Sequence, residues 1–299
     1  MLYNKFSRYL RERYGKRIKK ICIDGGFSCP NRDGKCGTGG CIYCGERGSG
    51  EHLTPELSIA EQVRRALSAQ GERADGFIAY FQNFTNTYAP LEVLRSRYDS
   101  ALIDGRIVAL AIGTRPDCID EECARLIASY KDRVDVWVEL GLQTASDETA
   151  RLINRGYERA EFERAAAILK KYEIPIVVHA MIGLPGEGDE EIQMLAEYLS
   201  RFDIFGIKIH SVYVMADTVL EKMYKSGEYT PIALEDYTRR AAYLISHLSP
   251  EIVIHRLTGD CPKSLLVAPE WNTEKSKVIR EIERRLELCG ERQGTHFKK

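Results

Sequence analysis

The chain has 299 residues, of which 44% are hydrophobic and 29% charged, and its formal net charge is −1. That length can bury one large core or two small ones, and the balance is ordinary for a globular protein. No apolar run approaches the roughly 20 residues that span a bilayer, and the first 20 residues lack the apolar core of a signal peptide, so we expect a cytoplasmic protein with no membrane partner.

The opening segment, residues 1–20, is basic: Lys5, Arg8, Arg11, Arg13, Lys16, Arg17, Lys19 and Lys20 stand against Glu12 alone. A second basic set, Lys275, Lys277, Arg280, Arg284, Arg285, Lys298 and Lys299, lies near the other end. Such ends suit a phosphate backbone, or they are two solvated helix faces. From residue 21 short apolar runs alternate with amphipathic stretches. Strands are expected at 21–23, 76–81, 107–112, 134–140, 174–181 and 206–214, and helices at 59–69, 91–105, 121–130, 147–154, 160–171 and 189–202. The alternation is that of βα units on a parallel sheet, and the uniformly apolar strands fit a sheet covered on both faces or curled into a barrel. Six units are fewer than the eight of a closed barrel. The expected fold class is therefore α/β, a partial (βα)6 TIM-type barrel over residues 21–233. The tail, 234–299, reads as a C-terminal α/β extension, with a helix at 234–248, a strand at 252–257 and a helix at 273–288 that stops at Gly290.

Nine cysteines without a secretion signal argue for metal or cluster ligation rather than disulfides. Four of them, Cys29, Cys36, Cys41 and Cys44, share the Gly-rich loop "CPNRDGKCGTGGCIYC". The pair Cys41 and Cys44 can reach two corners of a cubic cluster, and Cys29 a third. Three thiolates on a cluster that normally takes four leave one iron open. Counting Cys36, the same loop offers the four ligands of a structural zinc site. The loop by itself leaves both readings standing. Cys118, Cys123 and Cys261 read as ordinary buried cysteines. Polar side chains follow each later strand: Gln82, Thr85, Thr114, Arg115, Glu139, Gln143, His179, Lys208 and His210. Any one of them suits a satisfied structural group. Their recurrence at one end of every βα unit marks a binding site at the barrel mouth.

The cysteine loop, "YFQNFTNTYAP", "GTRPDC", "VWVELGLQTASDETARLINRG", "HAMIGLPGE", "GIKIH" and "HRLTGDCP…APEW" together resemble a bacterial radical S-adenosylmethionine (SAM) family. The broader class includes the catalytic subunit of Elongator and oxygen-independent coproporphyrinogen oxidase. The resemblance runs from about residue 24 to residue 276. It implies a [4Fe–4S] cluster on Cys29, Cys41 and Cys44, with no ligand role for Cys36, and SAM on the open iron. Tyr43 matches the aromatic residue beside the cluster and adenine. Gln82 and Asn83 occupy the place of the motif that receives the SAM amino group, although its usual glycines and glutamate are missing. A glutamate common in the relatives is replaced here by Gly113, which turns attention to Thr114 and Glu139. Gln143 and Arg155 match SAM contacts, a guanidinium being suited to the SAM carboxylate. His179 stands where relatives place a ribose-binding aspartate, and the stretch from Gly183 to Gly186 would pass its backbone near the adenine.

What the resemblance implies is reductive cleavage of SAM to a 5′-deoxyadenosyl radical that abstracts hydrogen from a substrate. Electrons would come from a flavodoxin or ferredoxin-type donor. The Elongator-like branch and the basic ends together imply transfer RNA as the partner. The implied reaction remodels the 5-side chain of the wobble uridine, from carboxymethylaminomethyl toward aminomethyl, with Lys208, His210 and Arg256 as candidate substrate contacts. Two alternatives stand beside it: a radical SAM enzyme acting on a small metabolite, and a non-catalytic RNA-binding protein with zinc on Cys29, Cys36, Cys41 and Cys44.

Overall fold

The computed structural model describes residues 1–48, 50, 51, 53–70 and 73–298. Lys299, one of the C-terminal basic residues, lies outside them. The chain opens on a helix, α1 (Phe6–Tyr14), and a first strand, β1 (Ile18–Ile23). Then come α2 (Ile59–Gln70), β2 (Gly76–Phe81), α3 (Leu91–Ala101), β3 (Ile107–Thr114), α4 (Glu121–Ala128), β4 (Asp135–Gln143), α5 (Asp147–Leu152), α6 (Arg159–Lys171), β5 (Ile176–Ile182), α7 (Asp189–Leu199) and β6 (Gly206–Ser211). The remainder is β7 (Val214–Met215), α8 (Val219–Ser226), α9 (Leu234–His247), β8 (Val253–Arg256), β9 (Leu266–Ala268) and α10 (Lys275–Leu288). Local chemistry starts several helices. The Asp120 carboxylate accepts the Cys123 N–H at 2.8 Å to cap α4, and Ser146 accepts from the Thr149 N–H at 3.1 Å to cap α5.

Seven parallel strands form one curled half-barrel sheet in the order β1-β2-β3-β4-β5-β6-β8. The partial barrel expected from the sequence is present, with one strand more. The tail strand β8 does not stay in a separate layer. It pairs with β6, Gly206 against Val253 and Ile207 against Ile254, so the sheet runs across the expected boundary at residue 234. The small ladder of β7 with β9 was not foreseen; two or three residues give no periodicity to read.

Strand alternation divides the two faces of the sheet. On β4, Val136, Val138, Leu140 and Leu142 face the helices and join the main core. Trp137 points the other way, into the lumen, in an apolar layer with Ile78, Ala109, Ala111 and Val177. Helix α1 closes that side. Its Leu10 is buried in the lumen layer, and its Phe6 ring stacks on His255 at 3.9 Å. Next along the same inward rows come polar residues: Tyr80 on β2, Glu139 on β4, His179 on β5 and Lys208 on β6. The lumen is therefore apolar at the level of α1 and polar toward the C-terminal strand ends.

Candidate active site

A cavity of about 250 Å³ lies where the cysteine loop folds over the C-terminal ends of the strands. Cys29, Cys41 and Cys44 all line it. Cys36 does not; it is exposed, and its thiol lies 3.7 Å from Asp117 Oδ2, so the four-cysteine zinc arrangement is not formed. The loop has no regular secondary structure and is held by backbone turns. Gly40 takes φ +76°, and a Cβ there would sit 2.9 Å from Arg32 Nε. Arg32 threads the loop and donates to the carbonyls of Cys44, Gly45 and Glu46. It was missed in the sequence because it shows no spacing with the cysteines it braces.

Of the residues singled out from the sequence, Tyr43, Gln82, Thr114, Glu139, Gln143, Arg155, His179 and His210 also line the cavity. Gln143 is held at φ +61° and Phe84, also in the wall, at φ +54°, conformations that ordinary side chains adopt at a cost of about 1–3 kcal/mol and that cluster at functional sites. Tyr157 completes the wall between two guanidinium groups, with Arg115 4.7 Å and Arg155 4.5 Å from its ring centroid. Arg115 is fixed by the Asp117 carboxylate at 2.7 and 2.9 Å and by Arg155 O at 2.9 Å. Arg155 itself is buried and donates to Leu142 O, Thr144 O and Tyr157 O.

Other expected site residues lie outside this cavity. Asn83 does not line the cavity; it is buried beside Gly48 and Gly50 and donates to Asp24 Oδ2 at 3.0 Å. Lys208 lies deeper in the lumen, where it pairs with Glu139 and sits 3.0 Å from Tyr80 Oη. Arg256 lines a different groove and pairs with Asp260 at 3.3 Å. Gly183 to Gly186 face another hollow, where a Cβ on Gly183 would sit 2.7 Å from Ile232, so that glycine serves packing. Gly113, standing where relatives carry a glutamate, has Phe81 O 3.0 Å from the position of a Cβ, and its own carbonyl accepts from Asn86 Nδ2 at 2.7 Å.

The floor of the cavity is electrostatically organised. The Glu139 carboxylate is fully buried and accepts from Lys208, from His179 at 2.7 Å and from Trp137 Nε1 at 3.3 Å. Burial would push its acid up, but Lys208 beside it holds it well below the usual carboxylate range. Burial pushes the Lys208 ammonium down, to about 7, while Glu139 pulls the other way. Burial, reinforced by Lys208, pushes the His179 imidazole down to about 4 against the pull of Glu139. A neutral ring beside an ionised carboxylate keeps its proton on Nε2 and leaves Nδ1 as an acceptor.

This donor set fits an iron–sulfur cluster with SAM. Three thiols face one cavity; each would bind a different iron, so convergence on a single ion is not required. Thr85 Oγ1, Arg155 Nη2 and His210 Nε2 are buried in residues that line the cavity and have no hydrogen-bond partner among the described residues, positions that a polar ligand satisfies. Arg155 Nη2 is 3.6 Å from Asp147, too long for a hydrogen bond, which leaves a donor for an anionic group.

The chain matches the model of the Radical SAM superfamily over residues 34–199 and that of the Radical_SAM C-terminal domain over residues 204–288. It is 38% identical over 290 residues to protein YhcC of Escherichia coli (strain K12), covering 97% of this chain and 94% of that one. It is 31% identical over 242 residues to the tRNA uridine(34) acetyltransferase of Dehalococcoides mccartyi, covering 80% of this chain and 52% of the other. The structure of the archaeal Methanocaldococcus infernus Elp3, lacking its N-terminal residues 1–46, superposes with a TM-score of 0.70 at 19% identity. That superposition covers 92% of this chain and 64% of the Elp3 chain, and it speaks to the fold alone. Among the described residues no helix is long and apolar enough to cross a membrane. A cysteine-lined mouth on a half-barrel, in a chain matched by that model over more than half its length, makes this protein a member of the radical SAM superfamily, an enzyme whose cofactors are a [4Fe–4S] cluster and SAM.

Proposed function

We propose that Cys29, Cys41 and Cys44 hold the cluster and that Tyr43, Gln82, Thr114, Gln143, Arg155 and His179 surround SAM, in an enzyme that remodels the 5-side chain of the wobble uridine of transfer RNA from carboxymethylaminomethyl toward aminomethyl. When bound, the cluster and SAM supply one-electron cleavage to a 5′-deoxyadenosyl radical. The protein's own residues place and shield the reactants. Tyr157, Phe84 and the loop exclude water, Arg155 offers Nη2 to a carboxylate, and His179 offers a neutral acceptor. The observation that carries the RNA substrate is the 31% identity, over 80% of this chain, to a protein named for uridine 34 of transfer RNA. The match spans 52% of that relative, whose acetyltransferase activity is its own.

Mass spectrometry of nucleosides from total transfer RNA, in cells with and without this protein, tests the reading. Loss of the protein should raise carboxymethylaminomethyl nucleosides and lower aminomethyl ones. An unchanged nucleoside profile overturns the RNA substrate and leaves a small metabolite as the alternative. The cluster assignment has its own test. Anaerobic protein should carry about four irons per chain; Cys29→Ala, Cys41→Ala and Cys44→Ala should each lose them, and Cys36→Ala should keep them. Equal dependence on Cys36 would reinstate a four-cysteine site.

A further inference from the structure

Eight basic side chains lie between Lys5 and Lys20. Four have carboxylate partners: Lys5 with Glu283 at 2.7 Å, Arg8 with Glu12, Arg13 with Asp135 at 2.8 Å and Arg17 with Asp75 at 3.8 Å. The other four, Arg11, Lys16, Lys19 and Lys20, pair with no carboxylate among the described residues. All four line one groove of about 880 Å³ between α1, the free edge of β1 and the strand β8. Asp75, already shared with Arg17, is the one carboxylate among the described residues of its wall.

A random scatter of unpaired lysines and arginines would spread over the surface. These converge on a concavity, where like charges repel and where Lys19 and Lys20 are half-buried and thus less screened than on an open face. Phe6 and His255 are the aromatic side chains on its inner side. Phe6 stacks on His255, and Lys20 Nζ lies 5.1 Å from the ring centroids of both Phe6 and Tyr80. A positively charged groove is the element that tracks the backbone of a nucleic acid. A lipid surface is a plane and would meet Arg11 and Lys16 on the rim more readily than the half-buried Lys19 and Lys20.

We propose that this groove binds the phosphodiester backbone of RNA, at a site separate from the cysteine-lined cavity. The choice of RNA over other polyanions rests on the transfer RNA reading above. Arg11, Lys16 and Lys19 each neutralise a phosphate, and Lys20, braced on its two rings, supports the wall. Binding here is independent of base sequence and strongly dependent on salt.

The test uses the full, cluster-loaded protein and unmodified transfer RNA transcripts, with binding followed by fluorescence anisotropy across a salt series. The variant Arg11→Glu, Lys16→Glu, Lys19→Glu should bind on the order of a hundredfold more weakly near 0.1 M salt, with the slope of log K against log salt reduced by about 2. The milder variant with Gln at the same three positions should fall between, which guards against a folding defect in the first. Reversal of Arg64 and Arg65 on α2 is the control and should bind as wild type does. Iron content and SAM cleavage without RNA should be unchanged in all of them. A transcript lacking the wobble uridine should bind with the wild-type slope. The proposal is overturned if the triple variant keeps the wild-type slope, if wild type binds no transcript, or if anionic vesicles bind these residues more tightly than RNA does. A normal nucleoside profile in cells lacking the protein would sink the substrate reading while leaving the groove standing. Modification by wild type, with an unaltered slope in the variant, would do the reverse.

Discussion

Lys208 and Glu139 show what a buried ion pair does for this site. Both side chains are almost completely inaccessible, and they contact each other, Tyr80 and, through Glu139, His179. Desolvation of two charges offsets much of their attraction, so the pair adds little net stability, yet losing one member strands the other. Lys208→Met should therefore destabilise the protein by about 3–5 kcal/mol, because a carboxylate would be left without a cation in the lumen. The double variant Lys208→Met, Glu139→Gln should recover most of that loss. Urea denaturation with matched m-values reads both. Equal stability of Lys208→Met and wild type would mean that Glu139 takes up a proton or water at little cost, and the pair would lose its positioning role. Part of this was legible. Glu139 stood out as a carboxylate at a strand end, and His179 and Lys208 as polar residues at the ends of neighbouring strands. Their mutual contact was hidden, since the register of one strand on the next decides which inward residues meet.

At the scale of elements, α1 has weak local signals. Its N-cap Lys5 makes no side-chain cap, its first turn has no acid, and its stability comes from Phe6, Leu10 and Tyr14 against the lumen and from Arg13 and Tyr14 on Asp135. The one strong signal is its end: Gly15 at φ +63°, whose N–H returns to Arg11 O at 2.9 Å. A side chain at Gly15 would meet nothing within 4 Å, so only backbone strain is at issue. Gly15→Ala should cost about 1 kcal/mol, and Gly15→Asn less, because Asn tolerates the left-handed region. Thermal unfolding that ranks Asn below Ala would contradict this cap. In the sequence the apolar face of α1, Phe6, Tyr9, Leu10 and Tyr14, is overshadowed by the basic run, so the segment reads as a phosphate-binding stretch or a solvated helix face. Strands β2 to β6 were legible because burial on both faces makes them continuous apolar runs. The joining of β8 to β6 was not, since four residues carry no information about which edge they will meet.

For the molecule as a whole, the lumen sets the response to acid. His179, His210 and His255 are all held below the ordinary imidazole range, chiefly by burial, His179 to about 4. Lys208 weighs on all three and Glu139 pulls each upward; Lys20 bears on His255 and Arg256 on His179 and His210. A histidine depressed in the folded state gives stability that is intact above about pH 6.5, and this is lost as pH falls toward the folded value, because only the unfolded chain takes up the proton. Burial pushes the Glu187 carboxyl up to about 7, which works in the opposite sense: the folded chain takes that proton first. Glu139 is silent until lower pH, since its carboxylate titrates well below 4.5 when folded. Between about pH 6.5 and 4.5 unfolding should thus take up at most three protons less one, a stability loss of up to about 2.7 kcal/mol per pH unit. His255→Phe isolates one of the three. Both ring nitrogens of His255 are buried without a hydrogen-bond partner among the described residues, and the ring already sits among Phe6, Trp137 and Phe205. Phenylalanine keeps those aromatic contacts and removes two unsatisfied atoms, so the variant should be about 1 kcal/mol more stable at pH 7.5. Its acid limb should be about half as steep, one net proton in place of two. Urea midpoints measured from pH 7.5 to 4.5 on both proteins decide the matter. A variant that is less stable at neutral pH, or one with an unaltered acid slope, would show that the His255 nitrogens are engaged by water or by a ligand and that the lumen is not the source of acid sensitivity.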